Sequence, residues 1–243
     1  MNTQSRRQRE FQQREQLFLD TARAIIQQEG FHSLTMEKIA AETEYAKGTI
    51  YKHFSNKEDL IVALCGQGLY YLVSLCAEMS GFPGKPREKL AVMAIAYQLY
   101  AQRYPEEYDL IMEARAGNLR EKASQARLAF TDEQDATLLQ LIRDQIDQAM
   151  TDGDLQLREG LQKDDICFGL WSMAFGVTVL EQARDLIINM DISPDGFQLS
   201  RQLTCLLDGY GWRPMSHEQD YFKVLDQAQQ HLIAAMKSRS PEN

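Results

Sequence analysis

Residues 35–60, TMEKIAAETEYAKGTIYKHFSNKEDL, constrain the chain more than any other stretch. Thr35 is placed to N-cap a helix, and Leu34 and Ile39 fall at the flanking positions of a hydrophobic staple. A second helix is expected over 46–53, with Ile50 and Phe54 four residues apart and turned inward. That leaves Lys47, Thr49, Tyr51, Lys52 and His53 on its outer side. Ser55 and Glu58 have the spacing of a capping box that opens a third helix. Two short helices joined by a tight turn, with a basic and hydroxyl-rich outer face, form the layout of a helix-turn-helix that enters a DNA groove.

The run Lys47-Gly48-Thr49-Ile50-Tyr51-Lys52-His53-Phe54, followed by Ser55-Asn56-Lys57-Glu58-Asp59-Leu60, resembles the recognition segment of the TetR family of bacterial transcriptional regulators. The resemblance covers about the first 65 residues. It implies an all-α protein with a three-helix DNA-binding domain at residues 1–60 and a larger helical effector-binding and dimerisation domain at 61–243. The turn departs from the family pattern: Glu44-Tyr45-Ala46 stands where Gly-Val-Ser is common. Glycine suits such a turn because it accepts a positive φ, so Glu44 implies either a strain cost or a different geometry. Ala46 supplies no capping hydroxyl.

Charge is distributed in keeping with this division. The chain carries −9 overall, yet residues 1–60 hold nine basic and nine acidic side chains, leaving 17 against 26 for the remainder. Residues 46–57 contain three lysines, one histidine and no acid. Phosphate affinity follows local potential rather than net charge, so an acidic body behind a basic reading face is workable; many acidic domains have no such role. Arg6, Arg7, Arg9 and Arg14 form a basic N-terminal arm suited to phosphate or minor-groove contact, or simply to solvation.

The rest of the chain reads as helix, with periodic apolar residues near 59–79, 87–103, 106–116, 120–151, 163–190, 196–210 and 217–238. Gly81-Phe82-Pro83-Gly84-Lys85-Pro86 is the clearest break. Cys65, Cys76, Cys167 and Cys205 lack CxxC or metal-ligand spacing and read as small buried hydrophobes. Neither a signal peptide nor a span of about 20 apolar residues is evident, so a cytoplasmic, nucleoid-associated protein is expected. No phosphate loop, nucleophile motif or metal-binding set is present in the sequence, and no enzyme activity, cofactor or metal is expected.

Two further sets of residues carry expectations. Tyr97, Tyr100, Tyr104, Tyr108 and Met112 step along one face, and Trp171 and Phe175 lie on a nearly uncharged later helix; such side chains wall an apolar effector pocket, or merely fill a core. Gly169, Met173 and Gly176, with Leu199, Leu203 and Leu206 on the following helix, would pair with the same residues of a second copy. The resemblance implies that this seam makes a homodimer, setting two reading heads on a pseudo-palindromic DNA operator. The reading is a repressor. DNA contacts are assigned to Thr35, Lys47, Gly48, Thr49, Tyr51, Lys52, His53 and Lys57. A mostly apolar small molecule would release it by tilting the helix that begins at Asp59. The alternative is a nucleoid or cell-division factor of the same fold without a ligand.

Overall fold

The computed structural model describes residues 3–115, 117–183, 185, 188–192 and 197–239. In chain order the elements are α1 (Thr3–Glu29), a 3-10 turn (Phe31–Ser33), α2 (Met36–Thr43), α3 (Lys47–Ile50) and α4 (Lys57–Ser80). There follow α5 (Pro86–Arg103), α6 (Pro105–Arg115), α7 (Gly117–Lys122), α8 (Gln125–Thr151), α9 (Lys163–Gln182), α10 (Gln198–Gly209) and α11 (Tyr221–Arg239). No strand occurs among the described residues.

The chain forms two compact units, residues 1–70 with 104–134 and residues 71–103 with 135–243. Sequence suggests a single cut after residue 60; the observed division is discontinuous, and α4 and α8 each contribute residues to both units. In the N-terminal unit, Phe18, Ala22, Leu34, Ile39, Ile50, Phe54 and Leu60 are buried together, joined by Leu110 of α6. Leu34 and Ile39 are both fully buried, as a staple requires. The Arg6–Arg14 segment is not a separate arm: it belongs to α1, where Arg6 pairs with Glu10 at 2.8 Å on an exposed face. Gly30 ends α1 with φ 83°.

Helix α4 is long and apolar enough to cross a membrane, contrary to the sequence expectation. It is mostly buried within the protein, as the core helix of a folded domain is. The capping box at its start is shifted by one residue from the Ser55–Glu58 pairing. Asn56 Oδ1 accepts the Asp59 N–H at 2.7 Å, and Asp59 Oδ2 accepts the Ser55 N–H at 3.0 Å. Asparagine caps as well as serine does, and the shift frees Glu58 to pair with Lys122 at 2.9 Å.

In the C-terminal unit α5 is the central helix, buried along most of its length. It packs against α9, α10 and α11. Helix α10 turns Leu199, Leu203 and Leu207 inward at a spacing of four. Buried Arg87 joins the unit through its guanidinium: it donates to the Thr204 carbonyl at 3.0 Å and the Trp212 carbonyl, pairs with Asp208, and lies over the Tyr221 ring. Every contact compensates for the removal of a charge from water. The predicted 163–190 helix ends at Gln182; residues 184, 186 and 187 lie outside the described set.

Candidate nucleic-acid interface

Helix α2 starts as its sequence requires. Thr35 is extended at φ −137° and ψ 154°, and its hydroxyl accepts the Lys38 N–H at 3.1 Å. At its other end Glu44 adopts the left-handed conformation, φ 56° and ψ 22°, the one positive φ of a non-glycine residue among those described. The turn therefore keeps the geometry glycine would give, at a steric cost that glycine avoids. Ala46 occupies the N-cap of α3 without a side-chain bond.

Helix α3 is shorter than expected. Regular helix covers Lys47–Ile50, and Tyr51–His53 close into tighter turns through Lys52 N–H to Thr49 O at 3.2 Å and His53 N–H to Ile50 O at 2.9 Å. Lys47, Gly48, Tyr51 and Lys52 are exposed and Thr49 half-exposed, so the outer side of the segment is accessible while Ile50 points inward. Gly48 is informative because a Cβ built on it would meet no atom within 4 Å. Glycine in a helix costs about 1 kcal/mol relative to alanine. Nothing inside the protein demands that cost. Lys47 reaches back to Glu37 of α2 at 2.8 Å, and this pairing holds the Glu37 carboxyl below its usual range.

His53 does not share this face and is corrected here. Its side chain is buried, stacked on Phe11 at 3.8 Å and edge-on to Phe18 at 5.3 Å, with Glu15 at 3.4 Å from Nδ1. Burial lowers its pKa, against the opposing pull of Glu15. The reason was present in the sequence: His53 follows buried Ile50 by three residues and so lies on the inner side. Lys57 opens α4 with its ammonium 5.3 Å from the Phe31 ring centre. Tyr45, in the turn, is exposed and edge-on to Phe18 at 5.4 Å. Sequence reasoning treated it only as a departure from the usual turn, yet it adds an aromatic hydroxyl close in sequence to Lys47.

Behind the reading segment lies a set of contacts with no local sequence signal. Asp59 Oδ1 accepts the Ser124 N–H at 2.9 Å, and Asn56 Nδ2 donates to the Lys122 carbonyl at 2.9 Å. Burial alone would raise the Asp59 pKa, but the Ser124 and Ser55 hydrogen bonds hold it below the usual range. Arg127 pairs with Glu15 at 2.7 Å and covers the Phe54 ring at 5.3 Å.

A family model described as "Bacterial regulatory proteins, tetR family" matches residues 11–64, the stretch that holds α1 to the start of α4. These residues form a TetR-family DNA-binding domain. A curated relative, the fatty acid metabolism regulator protein of Bacillus subtilis (strain 168), is 32% identical over 75 residues. That match spans 31% of this chain and 39% of the relative, well under half of the relative's length. The TetR fold extends further. FadR of Bacillus subtilis, solved with stearoyl-CoA, superposes with a TM-score of 0.57 at 20% identity, covering 79% of this chain and 96% of that one. The TetR regulator PfmR of Thermus thermophilus gives 0.53 at 14% identity, over 76% and 93%. At such identities these two structures establish the fold alone.

The two remaining sets of predicted residues are not assembled as expected. Tyr97 and Tyr100 are buried in the C-terminal unit, whereas Tyr104, Tyr108 and Met112 belong to the N-terminal one. Trp171 and Phe175 do not wall an interior: they are 37% and 44% exposed, on the same side of α9 as Phe168 at 70%. Leu199 and Leu203 are core residues of their own chain. Gly169 faces inward too, since a Cβ there would collide with the Tyr210 hydroxyl and lie 3.7 Å from Leu206. Met173, Gly176 and Leu206 are half-buried. Of the four cysteines three are buried and Cys205 is exposed; burial pushes the Cys76 thiol up to about 12.

Proposed function

We propose that the chain is a cytoplasmic, homodimeric transcriptional repressor that binds a pseudo-palindromic DNA operator and leaves it when a mostly apolar small molecule binds. The observation that carries this reading is the exposed outer side of residues 47–52, with Gly48 vacant for outside reasons. Lys47 and Thr49 reach base edges, while Tyr51, Lys52, Thr35 and Lys57 contact phosphates. The apolar stripe Phe168, Trp171 and Phe175, spaced three and four residues apart on α9, is the face offered to a second copy, with Met173, Gly176 and Leu206 at its margin. Helix α4, which contributes to both units, is the element an effector would bias. The names of the curated relative and of the stearoyl-CoA complex make an alkyl chain the first apolar body to try.

The test is fluorescence anisotropy with DNA from around the protein's own gene, at several salt concentrations. Saturable binding that exceeds random DNA by about 10³-fold and weakens steeply with salt is expected. Replacing Lys47 and Tyr51 together with alanine should cost at least about 10²-fold in affinity, while the helical circular dichroism is retained. Full affinity in that variant would overturn the assignment of the reading face.

A further inference from the structure

Threonine in a helix commonly donates its hydroxyl to the carbonyl four residues back. Thr21, Thr43, Thr131, Thr151 and Thr204 all do so here, at 2.6–2.9 Å. Thr178 on α9 is the contrast: it is 2% exposed, and its Oγ1 has no partner. One helical turn further on lies Glu181, whose Oε1 accepts the Gln98 amide of α5 at 2.6 Å. Its second carboxylate oxygen, Oε2, is buried without a partner, as is Oε1 of Gln98, a residue only 1% exposed.

Three acceptor oxygens thus share one seam of the C-terminal unit. Residues three apart on a helix lie on one face with Cβ atoms about 5–6 Å apart, which keeps Thr178 beside Glu181, and the Gln98 bond brings the third group to the same carboxylate. The Gln98 amide N–H already donates to Glu181, which leaves the oxygen of the same side chain as the half without a partner. Among the described residues no cation pairs with Glu181, whereas buried Arg87 of the same unit has a carboxylate, two carbonyls and an aromatic ring. Within about a turn of Gln98 on α5, Ala94, Ile95 and Ala101 are buried. Buried acceptors left without donors are costly, and a buried carboxylate without a cation more so.

We propose that this seam is the head-group site of the effector, with Gln98, Thr178 and Glu181 accepting the three N–H bonds of a protonated primary amine carried on an apolar body. The inference rests on the reading of the C-terminal unit as the sensor. An ammonium matches the site in number and in sign, offering three donors, no acceptor and one positive charge. A carboxylate or phosphate head would bring a like charge beside Glu181 and find one free donor, the Thr178 hydroxyl.

Titration calorimetry on the full-length protein tests this with octylammonium, octyltrimethylammonium and octanoate, which share a body and differ in head. Octylammonium should bind saturably at one site per chain. The quaternary ion, which has charge but no N–H, and octanoate should bind at least about 10-fold more weakly. Glu181→Gln should weaken octylammonium by about 10-fold or more, and Thr178→Val by about 3-fold, with thermal melts followed by circular dichroism establishing that each variant folds. If Glu181→Gln does not fold, Thr178→Val decides alone. No binding of octylammonium, equal binding of the quaternary ion, or unchanged affinity in the variants would overturn the site. Anisotropy with operator DNA is scored separately. Amine binding without operator binding would remove the regulator reading and leave the site standing, and the reverse result would do the opposite.

Discussion

Two glycines show how differently two regions of this molecule use the same residue. At Gly48, in the recognition turn, a Cβ would meet open space; at Gly169, in the α9–α10 seam, it would run into the Tyr210 hydroxyl. The chain's own packing accounts for the second and not for the first, which the proposed reading assigns to DNA. Sequence alone does not separate them, because both sit in helices and neither has a positive φ. Helix α9 repeats the contrast within one element, with Gly169 directed at Tyr210 and Phe168, Trp171 and Phe175 exposed on another side.

Substitutions on these surfaces would break or sharpen that contrast. The largest effect is expected on the outer face of α9: Phe175→Glu should convert the proposed dimer to monomer in light scattering and lower operator affinity by about 10²-fold, because a second head would then no longer bind as a tethered partner. Monomer stability should barely change. Gly169→Ala should do the reverse, lowering unfolding free energy in urea by up to about 2 kcal/mol, because overpacking against Tyr210 outweighs the helix-propensity gain. Gly48→Ala should raise stability by up to about 1 kcal/mol while reducing operator affinity about 10-fold. A stability loss at Gly48, or none at Gly169, would dissolve the distinction.

The smallest effect is a pH dependence from the inner side of the recognition turn. Burial lowers the His53 pKa from its ordinary 6.5, so the unfolded chain binds this proton more readily than the folded one. Its contribution to stability is complete above pH 6.5 and is lost as pH falls through the depressed folded value. His53→Phe, which keeps the stack on Phe11, should flatten this part of the stability profile measured by urea unfolding between about pH 5 and pH 8.

Much of the fold was legible because its signals are local. Thr35 as a cap, Gly30 as a stop, Pro83 and Pro86 around a break, and the spacing of leucines in α10 each depend on residues within a turn of one another. The exposed part of the reading segment was legible for the same reason. What escaped was long-range. Nothing near Asp59 in sequence announces Ser124, and nothing near Glu15 announces Arg127. The outward placement of Trp171 and Phe175 escaped for a different reason: helical periodicity identifies a stripe but does not say whether it meets its own chain or another. The buried acceptors at Gln98, Thr178 and Glu181 are invisible to hydropathy, since each is a common surface residue.

The Glu37–Lys47 ion pair has a consequence for how such a protein searches DNA. In the free protein the lysine assigned to the bases is already engaged by a carboxylate one helix away. On the proposed reading, a duplex would have to win Lys47 from Glu37 and would leave that carboxylate beside a polyanion. A site offering a well-placed guanine edge repays this and a random one does not. If Lys47 reads bases as proposed, Glu37 would act as a weak built-in competitor, since both side chains are more than half exposed.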